Sequence, residues 1–379
     1  METIAASFFQ IRRKEEIMLK PIYINGIHSI APQACFENGF FDKELDHSPK
    51  SNLKIIPPKY TDYIAGKKLR RMTKLIRLGL VGTQKVMEDA KVKEIDSIII
   101  ATGNGNISDT QKFVNAVLDN DEKMLVPTSF VQSTNNVVAG SIALMLKSEC
   151  YNMTYTHHNS SFEMALLDGL MLFEEGNVNT ILLGAVDEIT DENIKLRNNC
   201  NLWTKEAIDP LSIYHHTKRT SALMGESSSF FILSNQKTND SYAELLDVDL
   251  FYYSQKNKVE NRIKEFILRN DLSLAEIDLV FGGFNGVSSY DQALETIINN
   301  LFPETHIAAY KHIVGEHPSS SAFAMWMAVQ NLSGKTAPKE IYYKNNSKSN
   351  HKPKHILILH KAYLSEEDYG LILLKKICS

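Results

Sequence analysis

The chain has 379 residues, of which 43% are hydrophobic and 23% are charged, and its formal net charge is −4. These values are typical of an ordinary globular protein that is long enough to bury a substantial core as one large α/β domain or two smaller ones. The negative charge argues against nucleic acid or an anionic membrane as the main partner, and no apolar run approaches the length of a membrane span.

The cysteines lie far apart and form no C-x-x-C pair; they are Cys35, Cys150, Cys200 and Cys378. We therefore expect free thiols in a reducing cytoplasm, without a disulfide or a zinc site. Residues 1–17 lack the order of a signal peptide and are expected to be an N-terminal extension, either disordered or translated from an upstream start. Met18, followed by LKPIYINGI, is a more natural beginning.

In chain order, the apolar, β-rich run at 22–30 predicts a first strand, and the polar stretch at 36–60 predicts a loop or cap. Apolar residues at helical spacing between 72 and 87 predict a helix. The short apolar run at 97–101 is typical of a buried parallel strand. It enters a Gly-containing turn at 102–106, which lacks the G-x-G-x-x-G spacing of a dinucleotide site.

After a helix predicted over 137–146 comes the stretch around which the chain is organised, YNMTYTHHNSSFEMALLDGLMLF, at 151–173. Its beginning alternates in polarity, which predicts a strand, and its remainder has apolar residues at helical spacing, which predicts a buried helix. His157 and His158 lie at the elbow between the two. Free backbone N–H groups and the helix dipole favour developing negative charge there, and nucleophiles are often placed at such elbows.

Strands and helices alternate through the rest of the chain. Strands are predicted over 179–185 and 227–233, and the aperiodic stretch 199–219 between them predicts a loop. Its adjacent histidines, His215 and His216, diverge and have no partner at ligand spacing, so we expect no metal site. Helices are then predicted at 259–267, 291–301 and 323–331, and strands at 277–281, 308–310, 355–359 and 369–375. Two such halves predict a layered α/β architecture.

Several segments are distinctive in their order and spacing: YINGIHSIAP, LRRMTKLIRLGL, IIIATGNGN, PTSFVQSTNNVVAGSIALML, GNVNTILLGAVDE, SALMGESSSFFIL, IDLVFGGFNG and YKHIVGEHPSSSAFAM. Together they resemble the β-ketoacyl synthase branch of the thiolase fold, over nearly all of the chain from Met18 onward. The resemblance implies a thiolase-like α/β fold. Two similar halves, 18–235 and 236–379, would build a layered α-β-α-β-α architecture.

Condensing members of that family carry a cysteine nucleophile at the elbow. By resemblance, Thr156-His157-His158 matches the family's Thr-Ala-Cys pattern, which puts His158 at the cysteine position. Cys150 lies upstream and does not substitute. Because acyl-imidazoles are labile, His158 is a poor place to hold an acyl chain for condensation.

The family's two catalytic histidines are also changed. Asn285 takes the place of the first, and Glu316 takes the place of the second, with His317 one residue late and Lys311 where the family has a lysine. The Gly-Phe-Gly-Gly turn that gates the acyl pocket in the family is missing from 360–368. Catalytic groups that work as a unit lose most of their effect when one is removed, so ordinary condensation is not expected.

Each of these positions has a functional and a structural interpretation. His158 could act as an acid or base, contact a ligand, or fill space in a vestigial pocket as a hydrogen-bonded replacement, and we favour the last. Ser160 could be a nucleophile. The spacing of Ser160 and Glu163 favours a helix cap of the capping-box type instead.

Asn285 could keep an oxyanion role, but a turn before Gly286 is the plainer interpretation. Lys311 and Glu316 could carry acid–base chemistry, and we favour a structural ion pair. A one-residue loop adjustment could bring His317 to the place of Glu316, which would still leave no thiol. We expect no bound cofactor.

In some aromatic polyketide and polyene pathways, members of the family pair with a similar subunit that lacks the cysteine, the chain-length factor. Our leading hypothesis is such a non-condensing partner of an active ketosynthase, meeting an acyl carrier protein through that partner in polyene, polyketide or fatty-acid-like biosynthesis. The strand at 151–156 would pair across the dimer axis. The alternatives are an acyltransferase, thioester hydrolase or decarboxylase that uses His158 and Glu316, and a homodimeric acyl-binding module.

Overall fold

The computed structural model describes residues 21–37, 39–123, 125–215, 218–344, 352–365 and 367–377. The expected extension at 1–17 lies outside these residues. No helix in the described ranges combines the length and the apolar character that crossing a membrane requires.

The first half of the chain contains β1 (Ile22–Ile30), α1 (Gly39–Asp42), β2 (Asn52–Leu53), α2 (Gly66–Leu69), α3 (Lys74–Asp89), β3 (Ser97–Thr102), α4 (Ile107–Asp119), α5 (Pro127–Gln132), α6 (Val137–Leu146), β4 (Tyr151–Thr156), α7 (Ser161–Glu175), β5 (Thr180–Asp187), α8 (Asp191–Arg197), β6 (Met224–Gly225) and β7 (Ser227–Ser234). The strand, elbow and helix predicted from the organising stretch are β4 and α7. The stretch predicted as a loop at 199–219 contains a 3₁₀ turn at Pro210–His215.

The second half contains β8 (Ala243–Tyr252), α9 (Lys256–Leu268), β9 (Leu279–Gly282), α10 (Ser288–Leu301), β10 (His306–Ala309), α11 (Lys311–Val314), α12 (Ser321–Leu332), β11 (Tyr342–Lys344), β12 (His355–Lys361) and β13 (Asp368–Lys376). Further 3₁₀ turns lie at Tyr60–Asp62, Leu274–Glu276 and Lys339–Ile341.

The two halves repeat one strand pattern. Among the described residues, eleven strands are hydrogen-bonded in the order β11-β10-β9-β12-β13-β8-β1-β7-β5-β3-β4. In the first half β1 and β5 pair antiparallel with β7, and β3 pairs parallel with both β5 and β4. In the second half β8 and β12 pair antiparallel with β13, and β9 pairs parallel with both β12 and β10. Within this strand order, a short ladder between β1 and β8 joins the two halves.

Three apolar cores separate the layers. The central core lies between the two halves and contains the buried faces of α7 and α12. A second core packs α3 and α6 on the outer face of the first half, and a third packs α9 and α10 on the outer face of the second half. The order of layers is therefore helix, sheet, helix, sheet, helix, as predicted. In this arrangement the elbow before α7 and the N-terminus of α12 lie at the same end of the central layer.

Candidate functional site

The side chain of His157 accepts hydrogen bonds from the backbone of the elbow in which it lies. β4 pairs in parallel with β3 up to Thr156, and the His157 amide extends that ladder to the Thr102 carbonyl at 3.3 Å. The His157 ring then turns back, and its Nδ1 accepts hydrogen bonds from the amides of Asn159 and Ser160, both at 3.2 Å. His157 therefore satisfies two of the N–H groups that a helix start leaves free.

The prediction of a capping box at the start of α7 is wrong. Ser160 takes the N-cap position, but its side chain makes no capping hydrogen bond. The Ser160 amide is already bonded to the His157 ring, and the Glu163 side chain, which a capping box needs at the surface, is completely buried. Ser160 itself is 5% exposed.

The residue that follows His158 is held by the second half of the chain. His158 is exposed, whereas the Asn159 carbonyl accepts a hydrogen bond from His360 Nε2 at 3.0 Å. The Asn159 amide nitrogen Nδ2 donates to Asp368 at 2.6 Å. Burial keeps the pKa of His360 well below its usual value, so the ring is neutral and its Nδ1 accepts from the Tyr310 hydroxyl at 2.9 Å. His360 and Asp368 thus clamp the elbow.

Lys311 and Glu316 form a buried ion pair. The Lys311 ammonium lies 2.8 and 3.0 Å from the two Glu316 carboxylate oxygens, and the Lys311 side chain is 0% exposed. Lys311 also donates to the Lys361 carbonyl at 3.1 Å. Asn285 Nδ2 completes the group by donating to Glu316 at 3.0 Å. Asn285, Lys311 and Glu316, which the resemblance in sequence put at catalytic positions, are therefore bonded to one another.

Asn285 also forms the turn that the sequence predicted. Its side-chain oxygen accepts from the Val287 amide at 3.0 Å, and Gly286 follows with a φ of +85°, a conformation that favours glycine. The amides of Asn285 and Gly286 each donate to Asp291 at 2.9 Å. Burial nevertheless raises the pKa of Asp291 to about 7, because desolvation outweighs these hydrogen bonds.

His317 does not take the place of Glu316. Its Nε2 lies 2.8 Å from the Ser227 hydroxyl, and burial lowers the pKa of the ring to about 4, so it is neutral at physiological pH. Next to it, Asp187 accepts hydrogen bonds from the Gly103 amide at 2.8 Å and from both the amide and the hydroxyl of Ser319 at 3.0 and 2.6 Å. Asp187 therefore joins the end of β3 to the segment before α12.

A small cavity brings several of the predicted residues together. It is lined by His158, Glu316 and His317, and its volume of about 20 Å³ leaves room for roughly one water molecule. Lys311 and Asn285 contact Glu316 from outside the cavity, and Ser160 does not line it. Cys35, Cys150 and Cys200 do not line it either.

Sequence reasoning missed other residues that line this cavity, namely Arg197, Trp203, His360 and Tyr363. The Arg197 guanidinium lies 5.4 Å from the centre of the Trp203 ring, and the Tyr363 hydroxyl donates to the Leu202 carbonyl at 2.8 Å. The sequence singles out His360 only as the first residue of the segment 360–368, which lacks the gating turn. No metal-binding group of three His, Cys, Asp or Glu residues was found in the described ranges, and His216 lies outside them.

Comparison with known proteins relates part of the sequence and the whole fold to β-ketoacyl synthases. Residues 54–207 match the sequence model of the β-ketoacyl synthase N-terminal domain. The ishigamide ketosynthase/chain length factor has the same fold, with a TM-score of 0.77 at 13% identity, covering 95% of this chain and 100% of that one. This chain has a ketosynthase-like fold.

Other solved ketosynthases resemble this ketosynthase-like protein to a similar degree. A β-ketoacyl synthase from Burkholderia phymatum STM815 matches with a TM-score of 0.73 at 12% identity, covering 95% of this chain and 100% of that chain. AntDE:AntF, a type II PKS acyl-carrier protein in complex with its ketosynthase bound to the hexaketide, matches with a TM-score of 0.75 at 12% identity and the same coverage. No curated protein sequence matches the chain. At these identities the solved structures establish the shared fold.

Proposed function

We propose that this ketosynthase-like protein is a non-condensing partner of an active β-ketoacyl synthase, comparable to a chain-length factor. It would act on carrier-bound acyl chains in the cytoplasm, in polyene, polyketide or fatty-acid-like biosynthesis, and would meet the carrier through its partner. The fold shared with the ishigamide ketosynthase/chain length factor and with a ketosynthase bound to its carrier supports this class of partner.

The chemistry of the site supports a role without condensation. The elbow presents the imidazole of His158 to solvent, and the cavity beside it contains no thiol from a described cysteine. Lys311, Glu316 and Asn285 satisfy one another, so none of them offers a free acid or base to a substrate. A cavity with room for roughly one water molecule also cannot hold an acyl chain.

The observation that carries the partner proposal is the open edge of β4 together with exposed apolar residues on β4 and on or next to α4, α5 and α6, which we call the edge surface. Its exposed apolar residues are Val114, Leu118, Val126, Phe130, Val131, Leu144, Tyr151 and Met153. Leu144 is 82% exposed and Leu118 is 72% exposed. Among the described strands β4 lies at the end of the sheet and pairs with β3 alone. An open strand edge beside exposed apolar side chains is typical of a protein interface.

The helices of the edge surface are poorly buried within this chain. α4 buries only Asp109 and α5 buries no residue. The two helices pack on each other, with the rings of Phe113 and Phe130 5.2 Å apart, and leave their remaining apolar side chains facing outward. A second chain of the same fold, with its own strand edge and apolar helices, would cover this surface.

Co-purification with a cysteine-bearing ketosynthase from the same genome tests the proposal. We expect a stable heterodimer with the wild-type chain, no heterodimer with Leu144→Asp or Phe130→Asp, and an unchanged heterodimer with Leu268→Asp. Leu268 is the matched control because it is 65% exposed on α9, in the second half. A wild-type chain that stays monomeric contradicts the proposed partnership. A wild-type chain that forms only a homodimer contradicts it too and favours the homodimeric acyl-binding module.

One observation favours a second candidate, an enzyme with altered chemistry. His158 and Glu316 line the same cavity, so an acyltransferase, thioester hydrolase or decarboxylase would find an imidazole and a carboxylate at one cavity. Such an enzyme would turn over acyl thioesters as the purified chain, and His158→Ala would abolish the turnover. We expect no turnover in either protein.

A further inference from the structure

The carboxyl of Glu163 lies beneath the elbow, in the first turn of α7, and is fully buried. Neither of its oxygens makes a hydrogen bond of good geometry with any residue in the described ranges. An unpaired carboxylate is very unfavourable in an apolar interior, whereas the neutral acid is tolerated far better. The site described above does not use this group.

The surroundings of Glu163 give its charge little compensation. The Ser321 hydroxyl on α12 and the ammonium of Lys311 both act to lower the pKa of the carboxyl, but burial outweighs them and raises it to about 7. Lys311 is already bonded twice to Glu316. The Tyr310 side chain, which also lies within electrostatic range of the carboxyl, is a neutral phenol because burial raises its pKa.

Glu163 rests directly on the backbone of β13. A Cβ added at Gly370 would lie 2.7 Å from Glu163 Cγ and 2.9 Å from its Oε1, so any side chain at residue 370 would have to displace the carboxyl. Gly370 is the ladder partner of His360 on β12. His360 and Asp368 are the residues that hold Asn159. The strand pair that covers Glu163 is therefore the pair that clamps the elbow.

We propose that Glu163 is a proton-dependent latch of the elbow. In the neutral form the acid lets β12 and β13 close over it and hold Asn159. When the O–H bond breaks, the proton passes to water, and the negative charge left on the carboxyl draws water between Glu163 and Gly370. The clamp on the elbow then loosens. This inference does not depend on the partner role proposed above.

Hydrogen exchange across pH tests the latch in the full chain. The readout is the Met164 amide, which donates to the Ser160 carbonyl at 3.0 Å in the first turn of α7. The amides of Asn159 and Ser160 are excluded because they are bonded to the side chain of His157 and therefore also report on that contact. After correction for intrinsic exchange rates, we expect protection to fall by about tenfold per pH unit between roughly pH 5 and 7 and to level off above, since each opening releases one proton.

Variants of Glu163 and Glu175 distinguish the effect of the Glu163 carboxyl from that of other carboxyl groups. Glu163→Gln is expected to hold the protection of Met164 constant with pH, and Glu163→Met serves in its place if the glutamine variant does not fold. Glu175→Gln, at the exposed C-terminal end of the same helix, is expected to match the wild type. Protection in the wild type that does not change with pH overturns the latch. A Glu163 variant that keeps the wild-type pH profile overturns it as well.

Discussion

The ion pair between Lys311 and Glu316 makes a quantitative prediction about stability. Lys311→Met removes the ammonium and leaves the Glu316 carboxylate buried, with Asn285 as its remaining hydrogen-bond donor among the contacts described. The two side chains are 0% and 7% exposed, so the stranded carboxylate stays largely shielded from bulk solvent. Breaking a buried pair from one side costs about 3–5 kcal/mol, and we expect Lys311→Met to lower the unfolding free energy by that amount.

Urea denaturation followed by circular dichroism, at one fixed protein concentration, measures this loss. Lys59→Met is the control, because Lys59 and Asp62 form an ion pair whose side chains are 78% and 53% exposed. An exposed pair is worth about 0–1 kcal/mol. The double variant Lys311→Met, Glu316→Gln should be more stable than Lys311→Met alone, since no charge is then stranded. A Lys311→Met variant that loses no more stability than Lys59→Met would refute the structural role of the pair.

Three further predictions concern the elbow, a close backbone contact and pH. His158→Ala should change the unfolding free energy by less than about 0.5 kcal/mol. His157→Ala should lower it by about 1 kcal/mol, because this variant removes the hydrogen bonds that cap α7. Equal losses in the two variants would contradict this prediction. Gly225→Ala should lower the unfolding free energy by about 3 kcal/mol or more, since its Cβ would lie 2.6 Å from a backbone Cα. Gly140→Ala, in open space within α6, should raise the unfolding free energy by about 0.5–1 kcal/mol. Thermal melts of the two variants measure this difference. Burial raises the pKa of Glu188 from 4.5 to about 7, so the native carboxyl keeps a proton that the unfolded chain releases. Glu188 alone should therefore lower the unfolding free energy by about 2–3 kcal/mol as the pH rises from about 4.5 to 7, and Glu188→Gln should remove that share of the fall. A pH series of Glu188→Gln that does not differ from the wild type speaks against this prediction.

Local sequence patterns were sufficient to predict a helix or strand where the apolar residues of the segment are regularly spaced and face the core. The alternation at the start of the organising stretch and the helical spacing after it predicted β4 and α7, and the repetition of such elements predicted the layers. β8 was not predicted, because Asp247 and Asp249 interrupt its apolar pattern while being 2% and 0% exposed. Their charges are compensated by Arg269, which follows α9, and by Arg262 on α9, each at 2.7 Å, and no spacing within the strand shows that.

In the candidate site too, contacts close in sequence could be predicted and contacts between distant segments could not. Lys311 and Glu316 are five residues apart, so their pairing could be anticipated from the chain itself. His360 reaches the elbow across 201 residues of sequence and is placed there by the β12–β13 ladder. The spacing of Ser160 and Glu163 predicted a cap, but the His157 ring took the amide and Glu163 turned into the core. Competition between a local motif and tertiary packing cannot be decided from spacing alone.

The most direct test of the central claim is the native mass of the complex formed on co-expression with a cysteine-bearing ketosynthase, combined with its condensation activity. We predict a one-to-one heterodimer whose condensation requires the partner's cysteine and survives His158→Ala. A chain that remains apart from the ketosynthase, and that turns over acyl thioesters alone through His158, would contradict the account.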